Sequence, residues 1–397
     1  MASEQQHYRA QRILHGDHWL QDAVLSVDSQ GNISAIAAYD PQQHRTVTDL
    51  GAVSLMPGLI DSHVHGSQGC DVMDATHASL NTMSRYFASL GVTAFVATTV
   101  TAPVAKIRAA LAQVAKSKQQ GVEGAEILGA YLEGPYFTEK NKGAHPTQWF
   151  RELAVEELDN WISYSDNQLL KVAFAPEKEG ALAAIRYLAN QGISVMLGHT
   201  DASYQQVKLA LDAGAKGIVH CYNGMRGLHH RDPGVVGAGL LHPECYVEMI
   251  ADGHHVHPAA IEVAHRCCGS RMTLITDAMC ATGMPDGQYT LGEYQVEMKQ
   301  GVVTTQDGGL AGSTLTLIEG VKNVQRWLNL PFEQAWLMAS HTPAKSLGIQ
   351  HQLGTLEVGK RASMVALGSD FSIDKTWVNG RLVFDAVVSP RQEALCI

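Results

Sequence analysis

The sequence predicts an α/β fold: a (β/α)8 TIM-like barrel with a small β-sandwich domain built from both chain termini. Three observations predict it. Eight short apolar, β-compatible runs alternate with amphipathic stretches over about 280 residues, close to the roughly 250 that such a barrel takes. Both ends of the chain carry short β-type runs broken by turn residues. His, Glu and Asp recur where the expected barrel strands end, and in this fold those ends form one rim.

The first β-type runs are 12–14, 23–27 and 33–37, separated by Gly16-Asp17, residues 28–32 and Asp40-Pro41. The first barrel strand is expected at 59–65, bounded by Pro57-Gly58 and Gly66. Further strands are expected at 93–100, 126–133, 169–177, 194–199, 217–222, 246–252 and 272–277, and helices at 78–90, 103–118, 179–190, 203–213 and 258–268. The chain then returns to β texture at 363–367, 376–378 and 381–384, with Gly368-Ser369-Asp370 and Asn379-Gly380 between them. Neither end has enough apolar surface to fold well alone, so the two are expected to pair. The expected division is a discontinuous β domain, 1–55 and 350–397, around a barrel spanning 56–349.

With 45% hydrophobic and 17% charged residues in 397, the chain suits a compact enzyme with a large core. A formal net charge of −10 provides no basic field for nucleic acid or an anionic membrane, so an anionic substrate needs a local binding cluster. The first seven residues, Met-Ala-Ser-Glu-Gln-Gln-His, have no signal-sequence pattern, and no apolar run approaches the ~18 residues of a membrane span. A cytoplasmic location is expected. Seven cysteines without zinc-ribbon spacing or a disulfide framework fit reduced thiols, and Cys267-Cys268 reads as packing.

Alternation along a strand puts His63 and His65 on one face, either as core histidines or as ligands of one metal ion. Glu133 precedes Gly134-Pro135 at a strand end, and His199 and His220 end later strands. One carboxylate and two imidazoles form a catalytic ligand set that leaves a position open for water. Near His63 and His65, Glu133 could be shared with a second ion. Asp277, ending the last strand, is placed to take a proton from that water and return it to a leaving group, or else to cap the strand or support a ligand histidine. Glu177, Asp252, His254 and His255 also fall at strand ends. The chemistry indicated is metal-assisted hydrolysis of an amide or ester.

The segments Pro57-Gly58-Leu59-Ile60-Asp61, Leu132-Glu133-Gly134-Pro135, Gly198-His199-Thr200, His220-Cys221-Tyr222-Asn223-Gly224-Met225, Ala251-Asp252-Gly253-His254-His255-Val256 and Thr276-Asp277-Ala278 resemble the amidohydrolase superfamily. In order and context they resemble its N-acetylhexosamine-6-phosphate deacetylases, over about residues 55–346. The resemblance implies that Glu133, His199 and His220 bind the main metal and that Asp277 is general base and acid. It also implies substrate contacts from Ala144, His145, Asn223, Gly224, Arg231, Asp252, Gly253, His254, His255, Leu310, Ala311 and Gly312. The wording of residues 137–138, 141–146 and 227–231 is similar to N-acetylgalactosamine-6-phosphate deacetylases. The expected reaction is therefore hydrolysis of N-acetylgalactosamine 6-phosphate to galactosamine 6-phosphate and acetate, with N-acetylglucosamine 6-phosphate, or both epimers, as the alternative.

Arg231 and His255 are reasonable phosphate ligands, and in the family the equivalent arginine can act in the neighbouring subunit's site, which implies a homodimer. Some members replace the His-x-His pair with amides and use one metal; this chain keeps His63 and His65, so one or two ions are expected. Zinc suits these ligands best, and iron, manganese or nickel also suit them. His229, His230, His254 and His257 receive no ligand role. A cyclic-amide amidohydrolase would carry a carboxylated lysine at a strand end, whereas Lys171 lies early in its strand and Glu133 supplies the carboxylate. A non-catalytic barrel scaffold would have no need of the full set of ligands and acid/base, and metal analysis separates the two.

Overall fold

The computed structural model describes residues 5–388. Eight parallel strands form the barrel sheet in chain order: Leu59–Val64, Val92–Thr99, Glu126–Glu133, Leu169–Phe174, Ser194–Leu197, Gly217–Ile218, Tyr246–Ile250 and Met272–Ile275. The eighth meets the first through a parallel bridge between Val64 and Ala278 and an Asp277 N–H donating to the His63 carbonyl at 3.0 Å. Buried Asp61 reinforces this seam by accepting from the Thr276 hydroxyl at 2.6 Å.

A helix follows each strand: His77–Ser89, Val104–Gln120, Val155–Tyr164, Ala181–Asn190, Tyr204–Asp212, Gly234–Leu241, Pro258–Cys268 and Leu317–Leu328. Leu80, Met83 and Phe87 show the usual logic, three buried positions on one stripe of a helix whose first turn is capped by Thr76 accepting from the Ser79 N–H. The five expected helices are present within about two residues at each end. Three others escaped the sequence reading. Gly234–Leu241 is apolar nearly all round and rich in glycine, so it has no amphipathic period; a Cβ on Gly239 would lie 2.5 Å from Ile218, which shows how closely this helix approaches its strand. Val155–Tyr164 is anchored by only two buried residues, Leu158 and Trp161. Leu317–Leu328 buries Leu317, Val321 and Val324 at regular helical spacing and was legible, but lies beyond the expected series.

Several strands end earlier than expected, and the reason lies in the backbone. His199, His220 and Asp277 have φ of 48, 24 and 51°, in left-handed conformations that end the ladder and turn the chain across the rim.

The terminal segments form one hydrogen-bonded sheet, ordered Arg381–Asp385, Ile373–Val378, Met364–Leu367, Ser54–Pro57, Gln6–His15, His18–Val27 and Ile33–Ala38, with Thr48–Asp49 beside Gln6–His15. Its core includes Ile13, Leu25, Leu55, Met364 and Trp377. Met364–Leu367 pairs antiparallel with Ser54–Pro57, which leads into the first barrel strand, so both chain ends are tied to the start of the barrel. Residues 1–4 and 389–397 of the expected terminal unit lie outside the described residues.

An antiparallel insertion, Gly287–Leu291, Tyr294–Lys299 and Val302–Thr305, stands between the eighth strand and eighth helix and was not anticipated. Its Leu291, Val296 and Met298 pack on Met279 and Ala311, next to the rim. Among the described residues, no helix is long and apolar enough to cross a membrane.

Candidate metal and active site

Glu133 ends the third strand and is buried at the centre of the rim. Its Oε1 is 3.4 Å from Nε2 of each of His63, His199 and His220, while its Oε2 is 3.2 Å from His65 Nε2. The His199 and His220 Nε2 atoms are 3.1 Å apart. The 3.4 Å separations are long for hydrogen bonds, but two ligands bound at about 2.0–2.1 Å to one tetrahedral ion stand about 3.4 Å apart. His63 Nε2 and Glu133 Oε1 are moreover buried without a hydrogen-bond partner. Donor set, spacing and the orphaned Glu133 Oε1 fit a divalent ion among Glu133, His199 and His220. A second set, His63, His65 and Glu133, meets the same criterion, with Asp277 Oδ1 3.1 Å from His65 Nε2 and 3.5 Å from His63 Nε2.

The opposite nitrogens decide which histidines can be ligands. Nδ1 of His65 faces the Thr98 carbonyl, that of His199 the Asn141 carbonyl and that of His220 the Asn223 carbonyl, each at 3.1 Å. His63 Nδ1 faces the Glu248 carboxylate at 3.2 Å. All four partners are acceptors, so Nδ1 carries the proton and Nε2 keeps a lone pair for a metal. His145 is the reverse. Its Nδ1 accepts from the Thr101 N–H at 3.3 Å and lies 2.9 Å from the Thr101 hydroxyl, which leaves the proton on Nε2. Although Glu133, His145 and His199 are close enough to hold an ion, this tautomer makes His145 a hydrogen-bond donor.

The electrostatics divide in the same way. Burial lowers the His63 imidazole, but Glu133 and Asp277 beside it raise it to about 9. His65 is also buried, and contacts with Asp277 and Glu133 bring it well above its ordinary value. Burial raises Asp277, yet His63 and His65 hold it at about 2. Burial and the neighbouring His199 keep His145 well below its ordinary value, hence neutral.

These groups open onto a 330 Å³ cavity, within the usual range for a small-molecule site. Of the expected substrate contacts, Ala144, His145, Asn223, Gly224, His255, Leu310 and Gly312 line it. Asp252 lies behind them, accepting His255 Nδ1–H at 2.6 Å and so aiming that ring. Ala311 is buried under the loop, and Gly253 packs against Trp327. His254 and Arg231 are exposed and line no part of the cavity; Arg231 Nη1 instead meets His230 Nε2 at 2.8 Å. Glu177 supports the Thr200 hydroxyl and the Asp201 N–H, away from Glu133.

The sequence reading missed Val100, Gly143, Leu291 and Gly309 in the wall, as well as Thr101 and Glu248 behind the histidines. Gly143 gave no signal beyond being a glycine: the φ of 55° and the His199 ring 3.0 Å from a notional Cβ, which suit the position to glycine alone, arise only in the fold. Leu291 comes from the insertion, which was not recognised, and Gly309 from the turn that follows its last strand.

Residues 54–383 match the amidohydrolase family. The chain is 84% identical over 390 residues to an N-acetylglucosamine-6-phosphate deacetylase of Vibrio furnissii, covering 98% of each. It is 50% identical over 374 residues to an N-acetylgalactosamine-6-phosphate deacetylase of Escherichia coli, covering 94% of this chain and 98% of that one. Among solved structures, a mutant N-acetyl-D-glucosamine-6-phosphate deacetylase of Mycobacterium smegmatis in complex with N-acetyl-D-glucosamine-6-phosphate superimposes with a TM-score of 0.90 at 32% identity, covering 96% of this chain and 100% of that one.

Proposed function

Since the chain belongs to the amidohydrolase family, as a metal-dependent hexosamine-6-phosphate deacetylase, we propose that its substrate is N-acetylglucosamine 6-phosphate, cleaved to glucosamine 6-phosphate and acetate. One observation carries the epimer: identity of 84% with a gluco relative against 50% with a galacto one, both nearly full length. The wording of residues 137–138, 141–146 and 227–231 favoured the galacto epimer, but likeness along the whole chain outweighs three short segments.

Glu133, His199 and His220 would hold the main ion, zinc by their donor types, and His63 and His65 beside Glu133 would hold a second. A bound divalent ion supplies Lewis acidity, making water a better acid and the acetyl carbonyl a better electrophile. The chain's own groups do the rest. Asp277 takes the proton of the attacking water and gives it to the amine nitrogen as the C–N bond breaks. The His145 Nε2–H donates to the acetyl oxygen as charge grows on it. His255, aimed by Asp252, and the Asn223-Gly224 turn anchor the sugar phosphate away from the reacting carbon, so its binding energy orients the amide.

No Lys or Arg lines the cavity among the described residues, and Arg231 points away from it. This favours a homodimer in which Arg231 of the partner subunit reaches the phosphate. A phosphorylated substrate and six unpaired cysteines among the described residues favour the cytoplasm.

Acetate release from the gluco and galacto substrates, measured side by side with metal content, tests the reading. Preference for the gluco epimer is expected. Preference for the galacto epimer would restore the other assignment, and release from neither by metal-loaded protein would contradict both.

A further inference from the structure

The interior of such a barrel is ordinarily filled by branched apolar side chains, yet here it contains a lysine and a glutamate. Lys171, on the fourth strand, is 0% exposed, and Glu248, on the seventh, 1%. They form an ion pair through Lys171 Nζ and Glu248 Oε1. Lys171 also donates to the Ser62 carbonyl at 3.0 Å and lies 4.2 Å over the Tyr131 ring. The other carboxylate oxygen, Glu248 Oε2, meets His63 Nδ1 at 3.2 Å. A buried ion pair is a weak source of stability, because well-packed apolar residues of the same volume often do as well or better. The pair therefore calls for a reason other than holding the barrel together.

That reason is visible in the contrast among the four ligand-type histidines. His65, His199 and His220 each rest on a backbone carbonyl, whereas His63 alone rests on a carboxylate with its own buried counterion. We propose that Glu248 and Lys171 are positioning residues for the second metal ion: Glu248 fixes the His63 tautomer and aims Nε2 at the ion shared with Glu133, and Lys171 fixes which way Glu248 faces. This rests on the reading of His63 as a ligand. A carboxylate behind a ligand histidine orients the ring and strengthens it as a donor, and loss of such a partner costs about 10–100-fold in metal affinity.

The geometry makes the consequence of Glu248→Gln specific. The Lys171 ammonium has only protons to give, so it claims the amide oxygen. The amide NH2 then faces His63 Nδ1 and drives the proton to Nε2, where the lone pair was needed. Adding Lys171→Met removes that constraint, lets the amide turn its oxygen to His63 and returns the lone pair to Nε2. A role confined to packing has no means of producing this recovery.

The experiment is metal titration of purified, metal-stripped protein with zinc, following ions bound per chain, with selective 15N-histidine spectra of the metal-free forms. Two ions per chain are expected for the unaltered protein. For E248Q the first should bind as before and the second should weaken by about 10–100-fold, with His63 neutral and protonated on Nε2 alone, where the unaltered metal-free protein keeps a proton on Nδ1. The double variant E248Q/K171M should recover most of that loss. Retention of the first ion shows that each variant is folded around Glu133, His199 and His220. Unchanged binding of the second ion by E248Q, or no recovery in a folded double variant, would overturn the proposal. If the unaltered protein binds one ion only, the second-ion reading itself has failed, and that result appears before any variant is made. Should E248Q alone fail to fold, the double variant still decides: loss of its second ion overturns the tautomer argument, and retention supports it.

Discussion

Glu133 divides the site into two halves of different construction. On one side, His63 near the end of the first strand and His65 just past it are buried beside Asp277 and are raised by carboxylates. On the other, His199 and His220 come from two strand ends in left-handed turns, and both rest on loop carbonyls. Burial lowers His199 overall, and although His220 is raised, neither has Asp277 within ion-pair distance. The first half therefore holds protons that a cation must displace, while in the second His199 is already neutral. One carboxylate can in this way serve a main ion on the His199/His220 side and a more pH-sensitive one on the His63/His65 side.

The sharpest way to break this contrast is to remove ligands from each half. His199→Gln or His220→Gln should abolish the main ion and lower turnover by about 10³-fold or more, as expected for several kcal/mol of lost Lewis-acid stabilisation. His63→Gln or His65→Gln should remove only the second ion and leave turnover within about tenfold, the scale of an indirect contribution. Equal losses from both halves, read by metal analysis and acetate release, would abolish the distinction.

Asp277 touches the first half but is assigned a role in the reaction itself. Asp277→Asn should lower kcat by about 10²–10⁴-fold while the main ion stays bound. Near-normal turnover in that variant would remove Asp277 from the proton path. The tautomer argument makes His145 a donor, so His145→Asn should lower kcat by about 10²–10³-fold without loss of metal. Loss of an ion from this variant would make His145 a ligand after all.

The smallest effect is in pH. With His63 raised to about 9, second-ion affinity should climb as pH rises from about 6.5 to about 9, by up to about tenfold per unit for each proton released. In metal-free protein the same shift favours the folded state, fully so below about 6.5, and that contribution is lost as pH rises through about 9. Calorimetric titration and metal-free unfolding across this range check both signs. A flat second-ion affinity would show that His63 holds no proton there.

The two halves also differed in how far the sequence revealed them. His63-x-His65 is legible because strand alternation alone puts both rings on one face. His199 and His220 were found as strand ends, but the left-handed turns that aim them depend on close packing, such as Gly143 and Gly224 against the His199 ring, which no local pattern records. Long-range partners were least legible: Glu248 lies 185 residues from His63 and reads in isolation as one polar position in a strand. At the level of fold, the barrel followed from alternating strands and amphipathic helices, whereas Gly234–Leu241 lacked any period and the insertion carrying Leu291 was overlooked. Arg231 was picked out by its chemistry, but its place relative to the cavity depends on how a loop folds and how subunits pair.

The most direct measurement is anomalous diffraction at the zinc edge from crystals of zinc-loaded protein. The strongest peak should lie among Glu133, His199 and His220, with a second, weaker at lower pH, between His63 and His65. A sole peak between His63 and His65, with nothing on the His199/His220 side, would contradict the assignment of the two halves.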